Sequence, residues 1–190
     1  MDDSDTFDAK TTTGKFSLRI QDSMLPLLGM VSQRVLSEAP QAELVVELAN
    51  YAKIGETGTN ETAITIVPMS LQLPPGITRI PLGELKWSVL MRENHPAADD
   101  WNMNSWAKWS HVRVGANRST GDYVDKKAQE EGVRRKVNTT VSHFMMALPI
   151  IQTSDLLFTS YLQCDTAFLN SYGLIQRPCP LALHSIPIGL

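Results

Sequence analysis

The chain has 190 residues with 17 Lys and Arg against 20 Asp and Glu, a formal net charge of −3 at pH 7. This length fits one domain with a flexible arm, and the charge gives no overall attraction to nucleic acid. The acidic start excludes a secretory signal peptide, and no apolar run reaches the roughly 18 residues of a membrane span. We therefore expect a cytoplasmic protein, or one inside a virion.

The N-terminal region combines a polar segment with the first regular elements. Residues 1–14 are acidic and threonine-rich, which predicts a flexible arm. Apolar side chains then alternate over residues 15–20, the pattern of a half-buried strand. Helical spacing follows and predicts a helix near 23–37, with Asp22 or Ser23 as its cap and Pro26 in its first turn.

The middle of the chain is rich in β-branched and aliphatic residues. Residues 43–48 and 63–67 flank a turn-forming segment at 55–60, so we predict an antiparallel hairpin with a long tip. Pro68 then marks a sheet edge or a bulge. Alternation over residues 85–91 predicts a further strand, with 111–114 as its partner.

Three of the four tryptophans lie in a polar segment, residues 94–110, that we expect to be irregular. Trp101, Trp106 and Trp109 either pin this loop to the domain or form a contact patch for a partner protein, a base or a membrane interface.

A charged segment, residues 122–136, predicts a solvent-exposed helix with two ladders of side chains spaced four apart. Its cations would either complement the helix dipole or contact RNA phosphates or an anionic membrane surface. These cations are Lys126, Lys127, Arg134, Arg135 and Lys136.

Charge almost disappears from the last third of the chain, where residues 137–190 carry only Asp155, Asp165 and Arg177. Such a segment fills a core or forms an interface with another chain, and we expect both. Residues 178–190 are predicted to be an apolar tail in a homo-oligomer interface. The residues expected to associate are Pro178, Leu181, Leu183, Ile186, Ile188 and Leu190.

Groups that could carry chemistry are scattered. The four histidines show no metal-ligand spacing, and no phosphate-binding loop or nucleophile motif is present. Cys164 and Cys179 lie in apolar surroundings and are expected to be reduced, buried thiols. We therefore predict no catalytic residues, no metal and no cofactor.

The patterns favour an α+β fold, mainly an antiparallel sheet with two or three short helices, in a single β-rich domain from 15 to 190. An all-β two-sheet sandwich of jelly-roll type is the alternative. This architecture is similar to that of the coat or matrix proteins of RNA viruses, which suggests a non-enzymatic, self-assembling structural protein. Its partners would then be itself, nucleoprotein, RNA or an anionic membrane. The alternatives are a single-stranded nucleic-acid-binding or movement-type module and, third, a small-ligand-binding or enzymatic β-domain.

Overall fold

The computed structural model describes residues 7–51, 54, 63–115 and 119–190. The chain divides into two compact units: residues 1–83 with 187–190 form unit 1, and residues 84–186 form unit 2. The predicted tip at 55–60 and the first six residues of the predicted arm lie outside the described residues. The predicted boundary of the arm at residue 14 stays a prediction.

Unit 1 is built on a parallel three-stranded sheet. Strand β1 (Lys15–Ile20) leads through a 3₁₀ helix (Asp22–Leu27) into helix α1 (Leu28–Glu38), and the chain returns as β2 (Glu43–Leu48). Strand β3 (Ala63–Thr65) then pairs with the other side of β1, so the sheet order is β2-β1-β3 and both pairings are parallel.

The predicted hairpin of 43–48 with 63–67 is therefore wrong, although both strands exist. Strand β1 lies between β2 and β3, so these two strands do not pair with each other, and the crossover through α1 makes β2 parallel to β1. The predicted helix near 23–37 is confirmed in position. Its cap is not, because Gln21 precedes the 3₁₀ helix and makes no side-chain capping bond, while Asp22 and Ser23 are buried inside the first turn.

A second small sheet has the order β4-β11-β5, formed by β4 (Val67–Pro68), β5 (Pro81–Leu85) and β11 (Ile186–Gly189). Strand β4 pairs antiparallel with β11 and lies at the sheet edge. The predicted edge position of Pro68 is confirmed, since proline cannot donate a ladder hydrogen bond.

Unit 2 contains a mixed five-stranded sheet with the order β10-β6-β9-β7-β8. Its strands are β6 (Ser88–Arg92), β7 (Ser110–Val114), β8 (Lys136–Val141), β9 (Leu157–Ser160) and β10 (Leu174–Pro178). Strand β7 pairs parallel with both β8 and β9, whereas β6 pairs antiparallel with β9 and β10. The predicted pairing of 85–91 with 111–114 is wrong, because β9 lies between these strands.

The helices of unit 2 connect these strands. They are α2 (Met103–Lys108), α3 (Ser119–Glu130), α4 (Ala147–Gln152) and α5 (Thr166–Ser171), with a 3₁₀ turn at Phe144–Met146. Helix α2 lies inside the segment predicted to be irregular. The predicted helix at 122–136 ends six residues early, because Gly132 adopts a φ of 76° and begins a new direction.

The combination of helices with β-sheets agrees with the α+β expectation, but the finer predictions do not hold. The described residues contain five α-helices rather than two or three, and parallel pairing is as prominent as antiparallel pairing. The jelly-roll alternative is wrong, because a jelly roll packs two antiparallel sheets and has no crossover helices between parallel strands. No described helix is long and apolar enough to cross a bilayer.

The core of unit 2 explains the charge-poor end of the chain. Its buried cluster comprises Val89, Met91, Trp106, Val124, Ala128, Leu157 and Leu181, with Cys179 and Leu183 packed against it. The tail is also held by hydrogen bonds, since the backbone N–H of Ala182 donates to Glu131 Oε1 at 2.9 Å. Cys179, Leu181 and Leu183 therefore pack in the core of their own unit.

Candidate functional site

The two units share one arrangement of parallel strands. In each, a strand continues through a helix to a parallel neighbour on one side, and a third parallel strand lies on the other side. The first strand is β1 in unit 1 and β7 in unit 2. In open α/β sheets, the chain connections after two adjacent parallel strands can run in opposite directions. A crevice then opens at the carboxyl ends of those strands, and ligands bind in it. The carboxyl ends of β1, β3, β7 and β9 are therefore the candidate positions within each unit.

In unit 1, the residues that follow β1 are polar and buried. Asp22 is 8% exposed and Ser23 is fully buried. The Ser23 hydroxyl has no hydrogen-bond partner among the residues that the structure describes. A buried hydroxyl without a partner is unfavourable by roughly 1–3 kcal/mol, so its retention at this position needs an explanation.

In unit 2, two serines face each other where β9 ends. Ser160 is the last residue of β9 and pairs with Ser88, the first residue of β6. Both are buried, and the Ser160 hydroxyl accepts a hydrogen bond from the backbone N–H of Leu162 at 2.9 Å. The Ser88 hydroxyl finds no partner in the described part of the chain. Unit 2 thus repeats the feature of unit 1, an unpaired buried hydroxyl beside a carboxyl strand end.

Aromatic side chains surround the end of β9. The rings of Trp87 and Tyr161 meet edge to face at 5.0 Å, and Phe144 lies 4.8 Å from Tyr161. Trp87 is fixed by its indole N–H, which donates to the His184 carbonyl at 3.0 Å, and the His184 N–H in turn donates to the Tyr123 hydroxyl. These contacts make a rigid apolar cluster where β9 ends, in the same part of the sheet as the two serines.

The three loop tryptophans occupy different environments. Trp106 is fully buried, and its indole N–H donates to Thr159 Oγ1 at 2.9 Å. Its ring therefore presents no face to a base or a membrane, and the contact predicted for it is wrong. Trp101 is partly buried and donates to the Pro178 carbonyl at 2.8 Å, while Trp109 is partly buried below Lys108. A contact role for Trp101 and Trp109 stays a prediction.

The predicted cations do not form one helical cluster. Lys127 pairs with Glu130 at 2.7 Å, three residues apart, and Arg135 is buried against Asp125 at 2.7 Å. The expected ladders are therefore wrong, because Arg134, Arg135 and Lys136 lie beyond the end of α3. Lys126, Arg134 and Lys136 are exposed, and their contact with an anionic partner stays a prediction.

The tail residues predicted to self-associate are mostly used within the chain. Leu181 is 4% exposed and Ile188 is 7% exposed. Leu183, Ile186 and Leu190 are partly buried, and Pro178 is exposed at the end of β10. A buried side chain cannot also meet a partner, so the self-association expected at Leu181 and Ile188 is wrong; at the other four positions it stays a prediction.

Burial keeps a histidine and both cysteines of the described residues in their uncharged forms. Burial lowers the pKa of His111 to about 3, and its Nε2–H donates to the Trp106 carbonyl at 2.9 Å. Burial raises the pKa of the Cys164 and Cys179 thiols to about 12 and about 11, which leaves them protonated and unreactive at neutral pH. The described residues bring together no group of three side chains that could hold a metal ion.

Sequence reasoning misses the unpaired serines. The sequence pattern makes Ser23 a helix cap, and Ser88 one of the polar residues that alternate along a strand. The only signal for Ser88 is that a serine also lies at the end of the partner strand, Ser160 in β9. This signal becomes visible only once β6 and β9 are known to pair.

Comparison with known proteins gives a consistent family. A family model described as the LysR substrate binding domain matches residues 13–190. The HTH-type transcriptional activator NagR of a Ralstonia species is 26% identical over 199 aligned positions, which cover 98% of this chain and 62% of NagR. The chain thus spans less than two thirds of that relative.

Solved structures agree on the fold. The regulatory domain of MexT, a transcriptional activator in Pseudomonas aeruginosa, superposes with a TM-score of 0.75 at 22% identity, covering 94% of this chain and 88% of that one. The effector-binding domain of QuiR, in complex with shikimate, superposes with a TM-score of 0.65 at 14% identity, covering 94% and 86%.

These matches contradict the viral interpretation. A family model over nearly the whole chain and bacterial regulators as relatives overturn a coat, matrix or virion role, and they give no support to a movement-type module or a nucleoprotein partner. The apolar C-terminal third suggests assembly because sequence alone cannot distinguish a segment buried in its own core from one buried against another chain. The matched family is one of substrate-binding domains, the class that the sequence analysis placed third.

Proposed function

The chain belongs to the LysR substrate-binding domain family, and on that premise we propose that it is the effector-binding domain of a bacterial transcriptional regulator. The prediction that the chain is not an enzyme is confirmed, because this family comprises effector-binding domains of regulators. Because the chain spans only 62% of NagR, regulation of transcription and DNA binding are properties that we propose for the whole regulator. A cytoplasmic location is part of the same proposal.

The observation that carries this proposal is the unpaired, buried hydroxyl at carboxyl strand ends in each unit. Ser23 and Ser88 both lack a partner among the described residues, although both are at least 96% buried. A ligand oxygen that accepts from either hydroxyl would satisfy a group that the protein leaves unsatisfied. Such a contact contributes more to affinity than an exposed hydrogen bond, because the hydroxyl has already lost its water.

The chemistry of these groups favours a small organic effector with oxygen acceptors. In unit 2, the edge-to-face pair of Trp87 and Tyr161 adds apolar surface at the same strand end, which suits an effector with a ring or an aliphatic chain. QuiR, which shares the fold, binds shikimate, a small molecule of this kind. The proposal therefore extends to this class of effector and not to one compound.

Self-association is the second component of the proposal, and α1 supports it better than the tail. Helix α1 contains no buried residue, and Met30, Val31 and Leu36 expose 60%, 40% and 64% of their surface. A helix that keeps an apolar face without covering it in its own unit has the character of a protein interface. We propose that a second copy of the chain covers this face.

The test is a thermal-shift screen of small carboxylic and hydroxy acids that includes shikimate, followed by calorimetric titration of each hit. We expect a saturable hit to bind at least about tenfold more weakly to Ser23→Ala or Ser88→Ala, the loss of about 1.4 kcal/mol. Ser37→Ala, an exposed position on α1 whose hydroxyl donates to the Arg34 carbonyl, is the matched control. Hits whose affinity is unchanged in both variants would contradict the role of these hydroxyls.

A further inference from the structure

Unit 2 contains a second concave site, beside helix α2. A cavity of about 270 Å³ lies between residues 96–102 and the helix, with Trp109 at one side. Helix α2 precedes β7, so this cavity lies near the amino end of β7. The unpaired Ser88 lies at the carboxyl end of β9, which is parallel to β7. The cavity is therefore separate from the strand ends described above.

The walls of the cavity are fixed by hydrogen bonds. Asn102 caps α2, with its Oδ1 accepting from the backbone N–H groups of Asn104 and Ser105 at 2.9 and 3.1 Å. Ser105 Oγ accepts from the Asn102 N–H and donates to the Asp100 carbonyl at 2.6 Å. Because backbone and side chains hold each other in place, the lining groups are ordered before any ligand arrives.

The apolar side of the cavity is equally constrained. The Trp109 ring meets the buried His95 ring edge on at 4.9 Å. His95 Nδ1 accepts from the N–H of Ala97 at 3.0 Å, and its Nε2 donates to the Asp155 carbonyl at 3.1 Å. Trp109 and Ala97 thus offer a rigid apolar surface in a polar cavity.

Two opposite charges line the cavity without pairing in the described residues. Asp100 Oδ1 accepts only from the Asn102 side-chain amide, at 2.9 Å, so the carboxylate is not neutralised. Lys108 Nζ lies 5.5 Å from the centre of the Trp109 ring, a cation–π contact that leaves its donors free. Asp100 precedes α2 and Lys108 is its last residue, so the two side chains start from opposite ends of a helix about 9 Å long.

This charge arrangement discriminates between classes of ligand. A singly charged ligand could pair with only one of the two groups, so it would gain one charged contact where a zwitterion gains two. A neutral ligand would leave both charges without a counter-charge. Only a zwitterion complements both, and a cavity of about 270 Å³ can hold one of the size of a single amino acid.

From this geometry we propose that the cavity beside α2 binds a small zwitterion whose ammonium group meets Asp100 and whose carboxylate meets Lys108, with its carbon chain on Trp109. The distance along α2 favours a ligand whose two charges are several bonds apart, as in an ω-amino acid. This site is independent of the proposed effector site, so either can fail without the other.

The test uses three probes of equal chain length on the full chain: 4-aminobutanoate, butanoate and butylamine. Ligand-detected NMR and calorimetric titration should show saturable binding of 4-aminobutanoate, with the two singly charged probes at least about tenfold weaker. Asp100→Asn and Lys108→Met should each weaken 4-aminobutanoate binding by about tenfold or more. Asp99→Asn removes a neighbouring exposed carboxylate that does not line the cavity, so it should leave binding unchanged.

Three results of the direct titrations would overturn the proposal: no saturable binding of 4-aminobutanoate, equal binding of butanoate or butylamine, or binding that survives both cavity substitutions. Thermal melting of each variant separates loss of the site from loss of the fold, because Asp100 and Lys108 are exposed side chains whose removal leaves the core intact. Competition with a Ser88-dependent hit from the acid screen would also contradict it, since the two sites are separate.

Discussion

Arg135 and Asp125 form the most buried ion pair among the described residues: Arg135 Nε lies 2.7 Å from Asp125 Oδ1, and only 2% of the Arg135 side chain is exposed. Asp125 also faces Arg113, whose Nη1 lies 3.7 Å from its second oxygen. The Asp125 carboxylate thus links α3 to strand β7 and to the segment that follows the helix.

This pairing predicts a large loss of stability from Asp125→Asn. The substitution keeps the shape of the side chain but removes the negative charge that two guanidinium groups share, and it should lower the free energy of unfolding by roughly 2–4 kcal/mol. Urea unfolding followed by circular dichroism measures the change. Glu130→Gln, which breaks the exposed pair with Lys127, is the control and should leave the unfolding midpoint unchanged. Equal losses of unfolding free energy from the two substitutions would show that burial of Arg135 does not strengthen its ion pair with Asp125.

The end of α3 gives a second prediction. The N–H of Val133 donates to the Ala128 carbonyl at 2.9 Å and the N–H of Gly132 to the Gln129 carbonyl at 3.1 Å, the two bonds of a Schellman motif, with Gly132 at a φ of 76°. Gly132→Ala should destabilise the chain by about 1–2 kcal/mol, since a Cβ disfavours this left-handed conformation.

Gly29→Ala is the matched control for Gly132→Ala. Gly29 lies inside α1, and an alanine Cβ at this position would meet no described atom within 4 Å, so alanine should stabilise the helix by about 0.5–1 kcal/mol. Opposite signs for the two substitutions, measured by thermal melting, are the expected result. A Gly132→Ala variant as stable as the parent would mean that the left-handed turn is not required.

Gly132 shows how much of the fold can be predicted from the sequence. Apolar alternation predicts the strand at 15–20 to the residue, and β-branched and aliphatic composition predicts the one at 43–48, because both signals are local. The charged pattern after Gly132 continues at helical spacing, so it predicts a helix to residue 136 although the backbone turns at that glycine. Strand partners cannot be predicted in this way, since alternation identifies a strand's faces but not its neighbours.

The candidate site is beyond sequence reasoning for a related reason. The sequence leaves open whether Trp106 pins its loop to the domain or contacts a partner, and only the fold shows that its side chain lies in the core of unit 2. Ser23 and Ser88 become notable only when the fold removes water from their hydroxyls and supplies no described partner. Burial and hydrogen-bond satisfaction depend on the tertiary structure, and no local pattern records them.

His111 predicts how stability changes with pH. Its folded-state pKa is about 3, well below the usual 6.5, because the imidazole is fully buried. Between these two values the unfolded chain binds a proton that the folded chain does not. The free energy of unfolding should therefore fall on acidification from about pH 6.5, by up to about 1.4 kcal/mol per pH unit from this residue. Burial lowers the pKa of His95 as well, which acts in the same direction.

Urea titrations at pH 7, 6, 5 and 4 would measure that slope. His111→Gln should reduce it, even if the variant is less stable at every pH, because glutamine has no proton to bind. His95→Gln provides a second variant should the first fail to fold. A slope unaffected by either substitution would assign acid sensitivity to other groups.

The exposed face of α1 predicts where self-association takes place. Leu36 is 64% exposed on a helix that buries none of its residues, so Leu36→Glu should place a charge in the proposed interface and raise the dissociation constant of the homo-oligomer at least about tenfold. Light scattering across concentration measures this constant. Leu82→Glu, at a leucine that is 48% exposed on β5, is the matched control and should leave it unchanged. If Ile186→Glu in the tail dissociates the oligomer and Leu36→Glu does not, the interface is at the C-terminal end of the chain; a wild-type chain that stays monomeric at every concentration would contradict self-association through either surface.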